Sequence, residues 1–295
     1  MIPERTTTQI GRLRIRGSDL QPAVRQTVAT QLAGAELSPP GLPPAAILIV
    51  RRLADPLPHQ IGSRRWRPHP AWEQAVRTRL EDCWHQAARP ARGPVPAAAE
   101  AVLFADDSEL LACLALDMAL GRHRQCWWWQ TILTHLPSSS LVALLHKHAR
   151  ELPAVLTRLW RWQRAEAVIA TLDRDQVAVL WQALTQAHPL NPALPPLLAE
   201  PLTGGPSGSP AHLPAEPGWS YSTAGTVFQR PPPWLPWLPQ PSPSLSAEQL
   251  CLLGVGLALH HTPARACSAL FAVEVSGWWR DQRRGKDPKE PGGEA

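Results

Sequence analysis

The amino-acid sequence predicts a mainly α fold with a small α/β N-terminal unit. Three observations indicate this fold class: apolar residues recur at helical spacing over most of residues 70–187, short β-branched apolar segments occur near the N-terminus, and 16 of the 34 prolines fall within residues 188–245. Proline is poorly tolerated in helix interiors and central strands. We therefore expect a short-helix array, a Pro-rich linker and a C-terminal helical hairpin.

Residues 1–55 predict a small β-α-β unit. Residues 9–15 alternate polar and apolar side chains, as expected for a strand with one buried face. A stretch with apolar residues at helical spacing follows, and Gly34 is typical of a helix end. The segment AILIVRRL at residues 46–53 is apolar and β-branched, which favours a buried strand.

Residues 56–187 predict the helical body. A helix is expected over residues 70 to about 89, followed by the short strand AVLF. The next helix begins with Asp106 and Glu109, whose spacing fits a capping box. The rest of the body predicts short helices only, and Asp173 is expected to cap the last of them.

The C-terminal third predicts three further regions. Residues 188–245 are expected to form the Pro/Trp-rich linker, because proline at this density excludes regular helix and interior strand. Residues 246–279 predict a helical hairpin that begins with a cap at Ser246 and is apolar enough to require docking on the body. Residues 280–295 are polar and rich in Gly and Pro, which is typical of a disordered tail.

Charge and cysteine content limit the class of protein. The 29 basic and 24 acidic residues give a formal charge of +5, which is modest for 295 residues. An odd number of widely spaced cysteines without a CxxC pair predicts reduced thiols rather than a disulfide framework. These cysteines are Cys83, Cys113, Cys126, Cys251 and Cys267.

The reduced thiols predict a cytoplasmic setting, and the apolar segments predict neither a secretion signal nor a membrane span. The N-terminal sequence MIPERTTTQ does not combine a charged start with a following apolar run, so we expect no secretion signal. The longest apolar run, LCLLGVGLAL at residues 250–259, is too short to cross a bilayer.

Three consecutive tryptophans, Trp127, Trp128 and Trp129, form the most unusual stretch of the chain. On a helix their side chains sweep about 200°, and on a strand the middle ring points away from the other two. The three rings therefore cannot all enter one core, and at least one fills a second interface or stays exposed. Either another segment of the chain covers that ring, or it contacts a partner protein, since tryptophan is enriched at binding hot spots.

The same two interpretations apply to Trp234 and Trp237 in the segment PPPWLPWLPQP. Rings carried by a Pro-rich segment lose little conformational entropy when they dock. We favour docking within the chain for this pair. All five tryptophans are candidate partner-binding residues.

No motif in the sequence indicates an enzyme, a cofactor or a metal site. The sequence lacks the Gly-rich phosphate-binding patterns and the G-x-S-x-G nucleophile pattern. The Cys and His residues do not have the spacing of zinc ligands. Those considered as ligands are Cys113, His123, Cys126, His146 and His148. A metal-dependent enzyme remains an alternative that predicts stoichiometric zinc in the purified protein.

Single-stranded nucleic acid is the alternative partner. The segment SRRWRPHPAW combines charge and aromatic rings, and arginines with tryptophans can hold a single strand by charge and by stacking. The residues of this alternative are Arg64, Arg65, Trp66 and Arg67. Binding of this kind predicts an affinity that falls steeply with salt.

One block of the chain resembles a known group of proteins. The block AEAVLFADDSELLACLALDMALGRHRQCWWWQTIL, residues 99–133, resembles Trp-rich helical proteins from gene clusters of phage-tail-like contractile injection systems. The opening segment TQIGRLRIRGSDLQPAVRQTVATQLAG, with the later helices, is similar to the tape-measure proteins of those systems. The resemblance spans residues 8–187. It implies a structural or accessory component that binds other subunits of the assembly and carries no catalytic residues.

Overall fold

The structure, a computed structural model, describes residues 8–14, 22–58, 61, 67–133, 140–195, 231–238 and 244–284. Within these ranges it contains two strands, β1 (Ile47–Val50) and β2 (Ala101–Phe104), and eleven α-helices. The helices are α1 (Pro22–Ala33), α2 (Pro70–Gln86), α3 (Asp107–Ala119), α4 (Trp127–Leu133), α5 (Leu141–Lys147), α6 (Leu152–Arg161), α7 (Ala165–Ile169), α8 (Arg174–Ala187), α9 (Ala247–His261), α10 (Pro263–Ala266) and α11 (Ala269–Arg284). This composition confirms the predicted mainly α fold with a small strand-containing N-terminal part.

The chain divides into two compact units, residues 1–139 and residues 140–295. This division lies inside the predicted helical body, so it coincides with neither of the boundaries expected at residues 55 and 187. Helices α1–α4 and both strands belong to the first unit. Helices α5–α11 belong to the second unit.

In the sheet of the first unit, β1 pairs with a different strand from the one that the sequence predicts. Strand β1 pairs antiparallel with β2, with Ile47 opposite Phe104 and Val50 opposite Ala101. Residues 8–14 form no strand, and the side chains of Ile10 and Leu13 are 46% and 48% exposed. The predicted β-α-β unit is therefore wrong. In the observed pairing, Val102 and Phe104 of β2 are fully buried, which removes their apolar side chains from water.

Helix α2 begins as its sequence predicts but ends earlier than expected. The His69 side chain accepts a hydrogen bond from the backbone N–H of Ala71, and Trp72 and Val76 are buried against Leu37. The helix ends at Gln86 rather than near residue 89, because the next residues join the sheet. There, the N–H of Ala88 donates to the carbonyl of Ala101.

Helix α3 begins with half of the predicted capping box. The Asp106 carboxylate accepts a hydrogen bond from the backbone N–H of Glu109, as a helix cap does. The Glu109 carboxylate does not return this bond to Asp106. It accepts from the backbone N–H of Ala105 and pairs with Arg89 at 3.4 Å. A buried carboxylate gains more from this charged partner than from one further backbone N–H.

Helix α9 is the core of the second unit. All of its residues from Cys251 to Leu259 are buried, and it packs against α6, α7, α8, α10 and α11. The longest apolar run of the sequence is thus a buried helix, and it packs on α6, α7 and α8, which lie in the range predicted for the helical body. Among the described helices, none has the length and apolar content needed to cross a membrane.

Two capping boxes position the helices of this unit. Asp173 and Gln176 form one at the start of α8, which confirms the predicted cap. Ser246 and Gln249 form the other at the start of α9. The side-chain amide of Gln249 also donates to the carbonyls of Ile169 and Leu172. Gln249 therefore ties the start of α9 to the end of α7.

The predicted linker and tail are described only in part. Residues 196–230 and 239–243 of the linker and residues 285–295 of the tail lie outside the described residues. The tail was expected to begin at residue 280, but α11 continues to Arg284. Neither glycine nor proline occurs between Trp278 and Arg284, and the Arg283 guanidinium lies over the Trp279 ring at 5.3 Å, so the helical conformation continues past the predicted end.

Candidate protein-binding surface

The tryptophan triplet lies on the short helix α4, and two of its three rings are core residues. The Trp129 ring is fully buried against Phe104, with ring centroids 5.4 Å apart. Its indole N–H donates to the Asp117 carboxylate at 2.8 Å, and Asp117 also pairs with Arg122 at 3.1 Å. Trp128 is buried beside it. Both rings are removed from solvent by the chain itself, and contact of Trp128 and Trp129 with a partner stays a prediction.

The third ring of the triplet lies in a different environment. Trp127 is half-buried and meets Trp128 edge-on, with centroids 5.7 Å apart and planes at 90°. The Arg51 guanidinium lies 5.9 Å from the Trp127 centroid. This agrees with the expectation that the three rings cannot share one core. Trp127 therefore remains a candidate contact residue.

Trp234 docks within the chain, the interpretation that the sequence favoured, and its contact with a partner stays a prediction. Its ring is fully buried and meets Trp278 with centroids 4.7 Å apart. It also lies directly on helix α9 at Gly254, where an added Cβ atom would come within 2.1 Å of the indole. Only glycine leaves room for the ring at this position. The described part of the Pro-rich region thus contributes to the core of the second unit.

Trp237 lies at the edge of this docked segment and stays half-buried. Its ring is nearly parallel to that of His261, with centroids 6.3 Å apart and planes at 2°. The Arg265 guanidinium lies 5.8 Å from the Trp237 centroid and pairs with the Glu274 carboxylate at 3.3 Å. Arg265 therefore connects the aromatic ring to helix α11.

Helix α11 carries two strongly exposed apolar side chains next to Glu274. Leu270 is 69% exposed and Val273 is 57% exposed, on the side opposite the buried face of the helix. Val273 and Glu274 lie three and four residues after Leu270, so all three side chains share one face of the helix. We call Trp237, Arg265, Leu270, Val273 and Glu274 together the α10–α11 surface.

The sequence prediction missed most of this surface. It identified Trp237 but not Arg265, Leu270 or Val273. The signal was present in the periodicity of α11, whose buried residues Phe271, Val275 and Trp278 leave Leu270 and Val273 on the other side of the helix. Because the whole segment is apolar, the sequence prediction did not distinguish the exposed positions of α11 from the buried ones.

The structure describes only part of the segment predicted to bind nucleic acid. Arg64, Arg65 and Trp66 lie outside the described residues, and Arg67 is exposed. Binding of single-stranded nucleic acid at this segment stays a prediction.

Among the His, Cys, Asp and Glu side chains that the structure describes, no group of three is placed to hold a metal ion.

None of the five cysteines, all of which lie within the described residues, forms a disulfide. Cys113 and Cys251 are buried, while the other three are half-buried. Desolvation raises the pKa of the Cys251 thiol strongly, and the nearby Glu248 carboxylate raises it further. Burial also raises the pKa of Cys83 and of Cys126. These shifts disfavour the thiolate, which is the reactive form of cysteine.

The α10–α11 surface has the residue types of a protein-contact surface, since aromatic side chains and arginine are enriched at such interfaces. Comparison of the chain with protein-family models, with curated proteins and with solved structures finds no match. Function is therefore inferred from the residues of this surface and from the sequence resemblance of residues 8–187.

Proposed function

We propose that this chain is a non-enzymatic structural or accessory component that binds other protein subunits through the α10–α11 surface. The observation that carries the proposal is the strong exposure of Leu270 and Val273 beside Trp237 and Arg265. Covering a Leu or Val side chain stabilises a complex by up to about 1.5–3 kcal/mol. Tryptophan and arginine supply the largest contributions at protein interfaces.

The assembly that we propose is a contractile, phage-tail-like injection system. Support for this part comes from the sequence, in which residues 99–133 resemble proteins from the gene clusters of such systems. The α10–α11 surface lies in the second unit, outside that block. Binding at this surface and membership of the assembly are therefore supported by separate observations.

The test is an affinity pull-down of the tagged chain from its nuclease-treated host, with mass spectrometry of the captured proteins. The variant Leu270→Ser/Val273→Ser removes the exposed apolar side chains. Val179→Ser is the matched control, because Val179 is 43% exposed on α8 and lies outside the α10–α11 surface. We expect sheath, tube or baseplate-like proteins with the wild-type and control chains, and their loss with the double variant.

Two results contradict the proposal. If the double variant captures the same proteins as wild type, the α10–α11 surface is not the binding site. If nucleic acid and its usual partners are the only material captured before nuclease treatment, and nothing remains after it, the protein-binding function fails. Thermal unfolding of each variant separates loss of binding from loss of fold.

A further inference from the structure

Strand β1 is the edge of its sheet, and its outer side has no strand beside it in the part of the chain that the structure describes. Backbone bonding alternates along an antiparallel strand, so every second residue bonds the neighbouring strand and the others point away from it. The N–H of Arg51 donates to the carbonyl of Glu100, which places Ile49 among the residues that bond β2. Leu48 and Val50 therefore direct their N–H and C=O groups outward, and no described residue bonds these groups.

The outer side of β2 is occupied. The N–H of Ala88 donates to the carbonyl of Ala101, and the N–H of Leu103 donates to the carbonyl of Ala88. Ala101 and Leu103 lie opposite Val50 and Leu48, so these contacts agree with the alternation assigned to β1. Strand β2 thus pairs on both sides and is mostly buried, whereas all the residues of β1 are half-buried.

The sequence of β1 lacks the features that usually prevent an edge strand from pairing. Proteins protect exposed edges with charged side chains, proline or a bulge. The segment ILIV, residues 47–50, contains neither a charge nor a proline, and its register with β2 is continuous. Pro44 before the strand and Arg51 after it limit the unprotected edge to this stretch. The edge is therefore open to one short added strand.

We propose that a second copy of this chain pairs its own β1 antiparallel with this edge, so that the two sheets join into one. A two-fold axis through Ile49 gives the register, because it lets Leu48 of each copy exchange both backbone bonds with Val50 of the other. All outward groups of both edges are then paired. The edge belongs to the first unit and the α10–α11 surface to the second, so this inference does not depend on the proposed function.

The side chains in this register are compatible across the two copies. Ile49 lies opposite Ile49 of the second copy, Leu48 lies opposite Val50, and Arg51 lies opposite Ile47. No like charges face each other, and pairs of β-branched side chains stabilise antiparallel strands. Joining the sheets also covers apolar side chains that are only half-buried in the single chain.

Opposite charges meet at both ends of the joined sheet. Strand β2 ends at Phe104, opposite Ile47, and Asp107 follows at the start of α3. The antiparallel arrangement brings Arg52 of one copy to the same end as Asp107 of the other, two strand spacings of about 4.8 Å away. Both side chains are exposed, and neither forms an ion pair with a described residue. This charge complementarity favours a second copy as the occupant of the edge.

The experiment measures the molar mass of the full chain by sedimentation velocity across a concentration series. Leu48→Pro removes an outward N–H and leaves the bonds to β2 intact, and edge strands tolerate proline at such positions. Leu48→Val is the matched control, because it retains the N–H. We expect wild type and Leu48→Val to dimerise as the concentration rises, and Leu48→Pro to dimerise at least about tenfold more weakly. Thermal unfolding verifies that Leu48→Pro remains folded.

A charge exchange tests the contact between Arg52 and Asp107 without a proline in the strand. Arg52→Asp and Asp107→Arg are each expected to weaken dimerisation about three- to tenfold, since each places like charges together at both ends of the joined sheet. Combined in one chain, the two changes exchange the charges and are expected to restore dimerisation. Weakening that adds up in the double variant contradicts this contact.

Ile49→Cys tests the register. In a non-hydrogen-bonded antiparallel pair the two Cα atoms lie about 4.5 Å apart, within the range of a disulfide. We expect oxidation to link two chains through the introduced thiols, as mapped by mass spectrometry of non-reduced peptides. Ile47→Cys is the control, because the two copies of this residue lie at opposite ends of the paired strands, about 13 Å apart.

Results of three kinds overturn the inference. A wild-type chain that stays monomeric at millimolar concentration has no edge that pairs with itself. Dimerisation of Leu48→Pro equal to that of wild type, or equal cross-linking of Ile47→Cys and Ile49→Cys, places the contact elsewhere. Loss of the dimer in Leu270→Ser/Val273→Ser but not in Leu48→Pro assigns self-association to the α10–α11 surface instead.

Discussion

Trp129 and Trp234 are both fully buried, one in each unit, but different interactions hold them. Trp129 lies on a helix and anchors its indole N–H to the Asp117 carboxylate. Trp234 lies in a Pro-rich turn, and among the described residues its indole N–H has no hydrogen-bond partner. Its position is determined by the space above Gly254 and by contact with Trp278.

The comparison shows two ways in which a sequence specifies a buried tryptophan. A buried indole removes about 150–250 Å² of surface from water, which is enough to offset an unsatisfied N–H that costs about 1–3 kcal/mol. Trp129 has both the apolar contact and the polar anchor. Trp234 is held by shape complementarity alone. A small change in α9, against which it packs, is therefore expected to have a larger effect on stability than a comparable change around Trp129.

The largest expected effect is loss of either ring. Trp129→Ala and Trp234→Ala are each expected to lower the free energy of unfolding by about 3–5 kcal/mol, because each leaves a cavity in a buried site. Chemical denaturation measures both. Limited proteolysis then separates them, since only Trp234→Ala is expected to expose residues 231–238 to cleavage. Equal cleavage in the two variants contradicts the docked position of Trp234.

The next largest effect is expected at Gly254, where the Trp234 ring packs directly against the helix backbone. Gly254→Ala is expected to destabilise the chain by about 1–3 kcal/mol, because its Cβ atom overlaps the Trp234 ring. In a Trp234→Ala background the ring is absent, and the same change is expected to stabilise α9 by up to about 1 kcal/mol through higher helix propensity. A double-mutant cycle measures this change of sign. A cost that is the same in both backgrounds means that the ring does not occupy this space.

A smaller effect is expected from removing only the hydrogen bond between the Trp129 indole N–H and the Asp117 carboxylate. Phenylalanine replaces most of the ring but has no N–H, so Trp129→Phe breaks the bond to Asp117 while Trp234→Phe breaks none. We expect Trp129→Phe to cost about 1.5–3 kcal/mol more than Trp234→Phe, as loss of a hydrogen bond to a charged group does. Urea denaturation checks the difference. A larger cost for Trp234→Phe reverses the comparison.

The smallest expected effect is a pH dependence confined to the second unit. The pKa of His260 is lowered by burial and by its positive neighbours, so the unfolded chain takes up this proton before the folded chain does. Stability is therefore complete above the usual histidine pKa of about 6.5 and is lost as the pH falls through the folded value. His260→Gln is expected to show a smaller fall in Tm on acidification than wild type. His146→Gln, at an exposed histidine of α5, is the control, and an unchanged fall in His260→Gln contradicts the assignment.

Local signals explain what the sequence predicted well. The caps at Asp106, Asp173 and Ser246 were predicted because a side chain and the backbone N–H three residues further along the chain determine each of them. The apolar stripe of α2 and the apolar run of α9 were also visible as burial patterns. These features depend on neighbours in sequence, which a single chain displays directly.

The features that sequence reasoning missed depend on distant partners. The pairing of β1 with β2 was determined by the burial of Val102 and Phe104, not by the alternation of residues 9–15. Glu109 does not complete the predicted capping box, because its carboxylate pairs with Arg89, which lies twenty residues away in the sequence. The docking of Trp234 required the space at Gly254, and no local pattern indicates which glycine lies beneath which ring.

The position of α9 has a consequence for the order in which the chain folds. Gln249 lies 80 residues after Ile169, whose carbonyl it contacts, so the helices of the array are synthesised long before the helix that fills their core. Contacts over such separations slow folding, because loop-closure entropy is lost before they form. A nascent chain that ends before Ser246 therefore exposes the apolar faces of α6 and α8 to chaperones and proteases. Quality control of this protein is expected to act on the chain until α9 has been synthesised.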